Sequence, residues 1–297
     1  MDSFCKYNDY LSGTQYIMMK KLPLLLLPLA VLCLAGCRGG ASAEAPKISI
    51  FCDHIETAAR QEGISFAEAA ARFKALGYAG ADIRVFQDPA HIATLDSLGF
   101  AHACAITDID YSKEDQYELE EKTLAFMAER GFDRLLLVTG LVPDSFSRAQ
   151  RDAARGRIAA FAARVAARGY TIMVEDYDNR RSLCYNAERL DSLFAVSQEL
   201  RLAFDSGNFL FAGQDAMQQY THFRDRIAHV HLKDRTSPEN MNCRPAGEGC
   251  IPIAEIVADL VSSGYTGWLT VEQYGSRHML EDSAVSIRNV SAALAAQ

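Results

Sequence analysis

From residue 47 onward the chain alternates two apolar rhythms. One places apolar residues three and four positions apart, which gives a helix with a single buried face. The other is a short unbroken or β-branched run, which gives a strand buried on both faces. Phe66, Ala69, Ala70 and Phe73 keep helical spacing behind Ser65 and Glu68, a capping-box signature. Ile158, Phe161, Ala162 and Val165 form the stripe of the longest predicted helix, over residues 147–168. Where helix gives way to strand, a glycine followed by an aromatic recurs, at Gly77-Tyr78, Gly99-Phe100, Gly131-Phe132, Gly169-Tyr170 and Gly264-Tyr265. A helix ends well on a left-handed glycine, and the next residue can open a strand. Five such junctions imply that helices and strands alternate, which means a parallel sheet.

The pattern predicts strands over residues 47–51, 79–85, 100–106, 134–138, 171–175, 202–205, 228–231 and 269–272. Between them it predicts helices over 91–98, 112–130 and 214–223, one capped by Asn186, one marked by Ile253, Ile256, Val257 and Leu260, and a last one over 282–295. Eight strands, each followed by a helix, in about 250 residues describe a (β/α)8 barrel, here a single domain over residues 47–297. An open doubly wound sheet would show a Gly-rich phosphate loop after its first strand. Cys52-Asp53-His54-Ile55 is not one.

Four of the predicted strands end in the same manner. Thr171 to Glu175, Leu202 to Asp205, Ala228 to His231 and Leu269 to Glu272 are apolar runs closed by a metal-capable side chain. In such a barrel the C-terminal strand ends carry the catalytic residues. Glu175, Asp205, His231 and Glu272 are therefore expected to converge on one divalent cation. Three hard oxygens and one imidazole favour Mn2+ or Mg2+, with Co2+ and Zn2+ left open. His229 lies two positions deeper on the same face as His231, as a supporting or core residue. Asp82 and Arg84 share one face of strand two, where pairing inside the barrel is the first expectation. His54, after strand one, is read either as a substrate contact or proton relay at the rim, or as a surface loop residue. Lys233 is read as a substrate contact, with pairing to Asp234 as the alternative.

The first 36 residues fall outside this pattern. Met19-Lys20-Lys21, an apolar run from Leu22 to Leu34 and Leu34-Ala35-Gly36-Cys37 describe a secretory signal. The run is shorter than the roughly 20 residues that cross a bilayer. The ending resembles a lipobox, which implies lipidation of Cys37, a tether over residues 37–46 and a place in the bacterial cell envelope. Residues 1–18 match no targeting logic, which suggests that translation starts at Met18 or Met19. Loss of residues 1–36 removes Lys6, Lys20, Lys21, Asp2 and Asp9 and takes the formal charge from −8 to −9. An acidic chain argues against nucleic-acid partners. Cys52, Cys104, Cys184, Cys243 and Cys250 remain, an odd number, and Cys243 with Cys250 either form a bridge or stay free thiols.

Over residues 47–297 the sequence resembles the xylose isomerase-like barrels, which include tagatose and psicose 3-epimerases, hydroxypyruvate isomerase, inosose dehydratase and endonuclease IV. The resemblance rests on Val174-Glu175-Asp176, Phe204-Asp205-Ser206-Gly207-Asn208, His229-Val230-His231-Leu232-Lys233-Asp234, Ala246-Gly247-Glu248-Gly249 and Val271-Glu272. It implies that Glu175, Asp205, His231 and Glu272 hold one Mn2+, Mg2+ or Co2+, and that Glu175 and Glu272 are the acid/base pair. Two positions depart from the epimerase pattern. Asn208 stands where several epimerases have a substrate-binding histidine, and Arg235 is the nearest match to their arginine. Many relatives have Glu-Asn-His where this chain has Glu175-Asp176-Tyr177.

Moving a proton next to a carbonyl needs a base, an acid and a stabiliser for the enediolate charge, and a divalent cation supplies the last. The first expectation is therefore a metal-dependent isomerase or epimerase of an unphosphorylated sugar or keto-sugar, since sugar phosphates are scarce outside the cytoplasm. A metal-dependent lyase or hydratase acting on 3-keto-glycosides or inososes shares the site. A non-catalytic sugar-binding lipoprotein is the third reading. DNA repair is disfavoured, because three zincs would require more histidines than this chain offers.

Overall fold

The computed structural model describes residues 45–297. The predicted signal segment, the Cys37 lipidation site and most of the tether lie outside the described residues. Eight strands close a parallel barrel: β1 (Lys47–Phe51), β2 (Gly80–Arg84), β3 (Ala101–Asp108), β4 (Arg134–Val138), β5 (Thr171–Glu175), β6 (Arg201–Asp205), β7 (Ile227–Leu232) and β10 (Trp268–Val271). Around the barrel each strand pairs with its neighbour in sequence order, and β10 closes on β1 with Ile48 opposite Leu269. The helices are α1 (Cys52–Glu62), α2 (Phe66–Leu76), α3 (Pro89–Ser97), α4 (Tyr117–Arg130), α5 (Arg148–Ala167), α6 (Ala187–Phe194), α7 (Ala216–Phe223), α8 (Ile253–Ser262) and α9 (Met279–Ala295).

Most predicted boundaries fall within two or three residues of the observed ones. All five Gly–aromatic junctions have a left-handed glycine, with φ between 71° and 107°. Ser65 caps α2 by accepting from the Glu68 N–H, and Asn186 caps α6 by accepting from the Arg189 N–H. Two elements escape the apolar pattern. Helix α1 starts directly at Cys52, where a loop is expected, and its N-cap Phe51 makes no side-chain cap bond. An antiparallel hairpin, β8 (Asp234–Ser237) and β9 (Asn240–Arg244), leaves the barrel after β7, and its mostly polar residues carry only the weak alternation of Met241 and Cys243.

Strand alternation sorts the side chains into two shells. Ile48, Ile50, Ile83, Leu135, Leu137, Ile172, Val174, Leu202, Phe204, Val230, Leu232, Leu269 and Val271 point outward and pack in the layer shared with the helices. Each buried aliphatic side chain there contributes roughly 1.5–3 kcal/mol of transfer free energy. The inward residues split by chemistry. Phe51, Cys104, Ile106, Leu136, Met173 and Ala203 form a separate apolar cluster. Ser49, Asp82, His229 and Thr270, from β1, β2, β7 and β10, form a buried hydrogen-bonded chain.

Candidate metal centre

Glu175 and Asp205 end β5 and β6, His231 is the penultimate residue of β7, and Glu272 directly follows β10. Alternation points all four inward at the C-terminal mouth. His231 Nδ1 lies 2.5 Å from Glu175 Oε1 and 3.0 Å from Glu272 Oε2. One ligand atom from each of the four fits in a group in which all lie within 4.8 Å of one another. The expected convergence is therefore present.

Lys233 lies among them. Its Nζ is 2.8 Å from Asp205 Oδ2, contacts Glu272 Oε1, and donates to Asn208 Oδ1 at 3.0 Å. It pairs with two of the expected ligands and not with Asp234. Burial alone would lower the Lys233 pKa, but Asp205, Glu272 and Glu175 outweigh it and hold it above its ordinary value. Burial would raise Glu272, but Lys233 and His231 pull it below the usual carboxylate range. Asp205 goes the other way: burial, reinforced by Glu272 and Glu175, lifts it to about 7 against the pull of Lys233. Three buried carboxylates share one ammonium and one imidazole, and Asp205, fully buried, carries the excess. Asp205 Oδ2 has ion-pair contact with Lys233 but no aligned hydrogen bond. Buried oxygen donors in surplus over local positive charge, beside an imidazole nitrogen, are the donor set of a hard divalent cation, so the residues present fit one.

A cleft of about 260 Å³ opens above the four residues. Phe51, Ile106, Leu136 and Val138 make an apolar floor and wall, Tyr177 and Tyr274 line it with aromatic rings, and Glu175, Glu272, Lys233, Asn208 and Arg235 face into it. Lys233, Asn208 and Arg235 thus reach the cleft as expected of substrate contacts. Asn208 also donates to the Asp176 carbonyl, at 2.9 Å. Arg235 lies over the Phe211 ring, 5.0 Å from its centroid, and donates to the Met241 carbonyl. Arg84 lines the mouth with Nε 2.9 Å from Asp53 and Nη1 2.6 Å from Asp108. It does not pair with Asp82, which binds His229 and Thr270 deeper in the barrel.

His54 corrects both of its readings. It is fully buried in α1, so it is no surface residue, and it does not line the cleft. Its Nε2 accepts the Gln273 N–H at 2.8 Å, and its ring packs edge-on against Tyr274 at 4.5 Å. Burial lowers its pKa to about 4. It therefore acts as a neutral prop for the segment that carries Glu272 and Tyr274.

Three carboxylates go beyond the sequence reading. Asp82 is held at about 2: burial raises it, but the facing His229 and His231 outweigh burial. Asp176 Oδ1 accepts the Asp205 N–H at 2.8 Å and so fixes the end of β6. Asp234 accepts four backbone N–H groups, from Arg235, Gly247, Gly249 and Ile251, all within 3.0 Å. A Cβ on Gly249 would lie 2.2 Å from both the Arg235 carbonyl and Asp234 Oδ1. The motif segments around Asp234 and Gly247-Glu248-Gly249 are thus two halves of one clamp, a signal visible only as the pairing of a buried-strand Asp with a distant Gly pair. Cys243 and Cys250 are both free thiols.

A stretch of the chain is 32% identical over 104 residues to inosose dehydratase of Geobacillus kaustophilus, covering 29% of this chain and 34% of that protein. The match thus spans about a third of that relative's length. The fold superposes on the probable 3-DHS dehydratase AsbF of Bacillus anthracis with a TM-score of 0.66 at 14% identity, covering 82% of this chain and 98% of that one. It also superposes on D-allulose 3-epimerase of Methylomonas sp. in complex with D-allulose, with a TM-score of 0.64 at 18% identity, covering 84% and 97%. The model of the xylose isomerase-like TIM barrel matches residues 58–291, and the chain belongs to that family.

Proposed function

We propose that this protein is a divalent-metal-dependent enzyme that moves a proton next to the carbonyl of an unphosphorylated sugar or keto-sugar. The observation that carries the reading is the pair Glu175 and Glu272: both flank His231 Nδ1 and both face the same cleft. A cation held by Glu175, Asp205, His231 and Glu272 supplies positive charge for the electron density that builds on the substrate oxygens. One glutamate takes the proton from the carbon next to the carbonyl, and the other returns a proton, which isomerises or epimerises the sugar. Lys233, Asn208 and Arg235 orient the hydroxyls.

The cleft supports an uncharged substrate. Its volume suits one small polyol, below the roughly 300–1,000 Å³ typical of drug-sized pockets. Among the described residues its cations are already engaged: Arg84 by Asp53 and Asp108, Lys233 by Asp205 and Glu272, and Arg235 by Phe211 and the Met241 carbonyl. None is free for a phosphate. A lipidated Cys37 would place this chemistry in the cell envelope, in keeping with such a substrate.

A second outcome at the same site is loss of water, as a dehydratase on an inosose or 3-keto-glycoside. The glutamate pair serves it equally: one glutamate takes the carbon-bound proton and the other gives a proton to the departing hydroxyl, which leaves as water. The stretch shared with an inosose dehydratase is consistent with it. The test is incubation of the metal-reconstituted protein with free sugars, 3-keto sugars and inososes in D2O, read by NMR. Deuterium beside the carbonyl without loss of oxygen indicates isomerisation, and an unsaturated product indicates dehydration. No exchange with any of them would contradict both and leave sugar binding without turnover.

A further inference from the structure

We infer that Asp82 is the positioning residue that aims His231 at the cation. The inference rests on the metal site proposed above and concerns a residue outside its ligand set. His231 uses its two ring nitrogens in opposite directions. Nδ1 faces Glu175 and Glu272 at 2.5 and 3.0 Å, and Nε2 lies 3.4 Å from Asp82 Oδ2. Among the described residues Nε2 has no hydrogen-bond partner, and Asp82 makes the ion-pair contact to it. A neutral imidazole carries one N–H. A carboxylate at Nε2 keeps the hydrogen there, and the Nδ1 lone pair is then free to ligate.

Asp82 is itself held. Its Oδ2 is 2.8 Å from His229 Nε2, and its Oδ1 accepts the Thr270 hydroxyl at 3.1 Å. Thr270 Oγ1 lies 2.8 Å from His229 Nε2 and 2.7 Å from Ser49 Oγ. Asp82, His229, Thr270 and Ser49 are all buried, and they come from four strands that follow one another around the barrel, β2, β1, β10 and β7. Each member of the chain has a hydrogen-bond partner within it, so the chain holds Asp82 in place. The His231 ring is also fenced by Phe51, at 4.8 Å, and by His229, at 5.2 Å and nearly perpendicular. The ring cannot swing to present the other nitrogen without breaking these contacts.

The same three residues, Asp82, His229 and His231, also form a group close enough to hold an ion of their own. His229 Nε2 is already shared between Asp82 and Thr270, whereas its Nδ1 has no hydrogen-bond partner among the described residues. The test separates the two roles by counting metal.

Metal-stripped protein is titrated with Co2+, and the visible absorption of the bound ion reports affinity, stoichiometry and ligand field together. The wild type should bind one equivalent. Asp82→Asn should keep that stoichiometry, weaken binding about 10–100-fold and shift the visible band, with circular dichroism showing a retained fold. Thr270→Val removes the hydroxyl that steadies Asp82. It should weaken binding severalfold in the same direction, and it decides the matter where Asp82→Asn fails to fold. Wild-type binding of one equivalent with affinity and band unchanged in the folded variants overturns the inference and leaves the metal site standing. Two equivalents in the wild type with one lost in Asp82→Asn overturns it by making Asp82 a ligand. No Co2+ binding by the wild type overturns the metal site, and this inference with it.

Discussion

The inside of the barrel has two unlike sides. Beneath the cleft, β3 to β6 and the end of β1 present Cys104, Ile106, Leu136, Met173, Ala203 and Phe51, an apolar plug with no hydrogen-bonding duty beyond a thiol. Beneath His231, β1, β2, β7 and β10 present Ser49, Asp82, Thr270 and His229, a polar chain at the same depth. Both sides are fully packed. The difference shows that depth in the barrel does not decide polarity here. The polar filling lies below His231, and the apolar filling lies below Glu175, Asp205 and the cleft.

That contrast is sharpened first at the rim. Glu175→Gln and Glu272→Gln should each lower kcat about 10²–10⁴-fold, measured on whichever substrate exchanges deuterium, with melting temperature little changed. A loss confined to KM would break the acid/base assignment. On the apolar side, Met173→Ala should cost roughly 2–5 kcal/mol in denaturant titration and leave metal affinity as it was, because Met173 is buried in the apolar cluster and outside the polar chain below His231. Equal loss of metal affinity from Met173→Ala and from Asp82→Asn would erase the distinction between the two sides.

His54 gives a pH test. Its folded pKa of about 4 lies below the ordinary histidine value of 6.5, so the unfolded chain binds the proton more readily. Its contribution is fully present above about pH 6.5 and is lost as pH falls toward 4, on the order of 3 kcal/mol in all. Thermal melts of wild type and His54→Gln should therefore converge as pH falls through this window. Parallel curves would show that His54 is not buried neutral. The smallest effect is expected at the clamp: Gly249→Ala forces a Cβ into Asp234 and the Arg235 carbonyl and should destabilise by about 1–3 kcal/mol, read by thermal melting.

Much of the fold was legible because strand ends and helix ends carry local chemistry. An apolar run closed by Glu175, Asp205, His231 or Glu272 marks both a strand and its direction, and a left-handed glycine marks the stops of α1, α2, α3, α4, α5 and α8. Helix α1 was not legible because it begins without a capping side chain, directly on the last residue of β1. The β8–β9 hairpin was not legible because Asp234 to Arg244 is mostly polar, with Met241 and Cys243 its few apolar side chains, and lies outside the core rhythm. The site shows the same division. Its ligands follow from position, whereas the partners of Lys233 and the burial of His54 depend on contacts between strands far apart in sequence. Alternation along β7 places His229, His231 and Lys233 on one face, but it cannot say that Lys233 would reach across to Asp205 and Glu272.

The central claim is that Glu175, Asp205, His231 and Glu272 grip a single cation. Anomalous diffraction from crystals grown with Mn2+ tests it most directly. The account predicts one strong peak per chain, within bonding distance of a carboxylate oxygen from each of the three acids and of His231 Nδ1. A peak elsewhere, or none at this position in metal-saturated crystals, would contradict it.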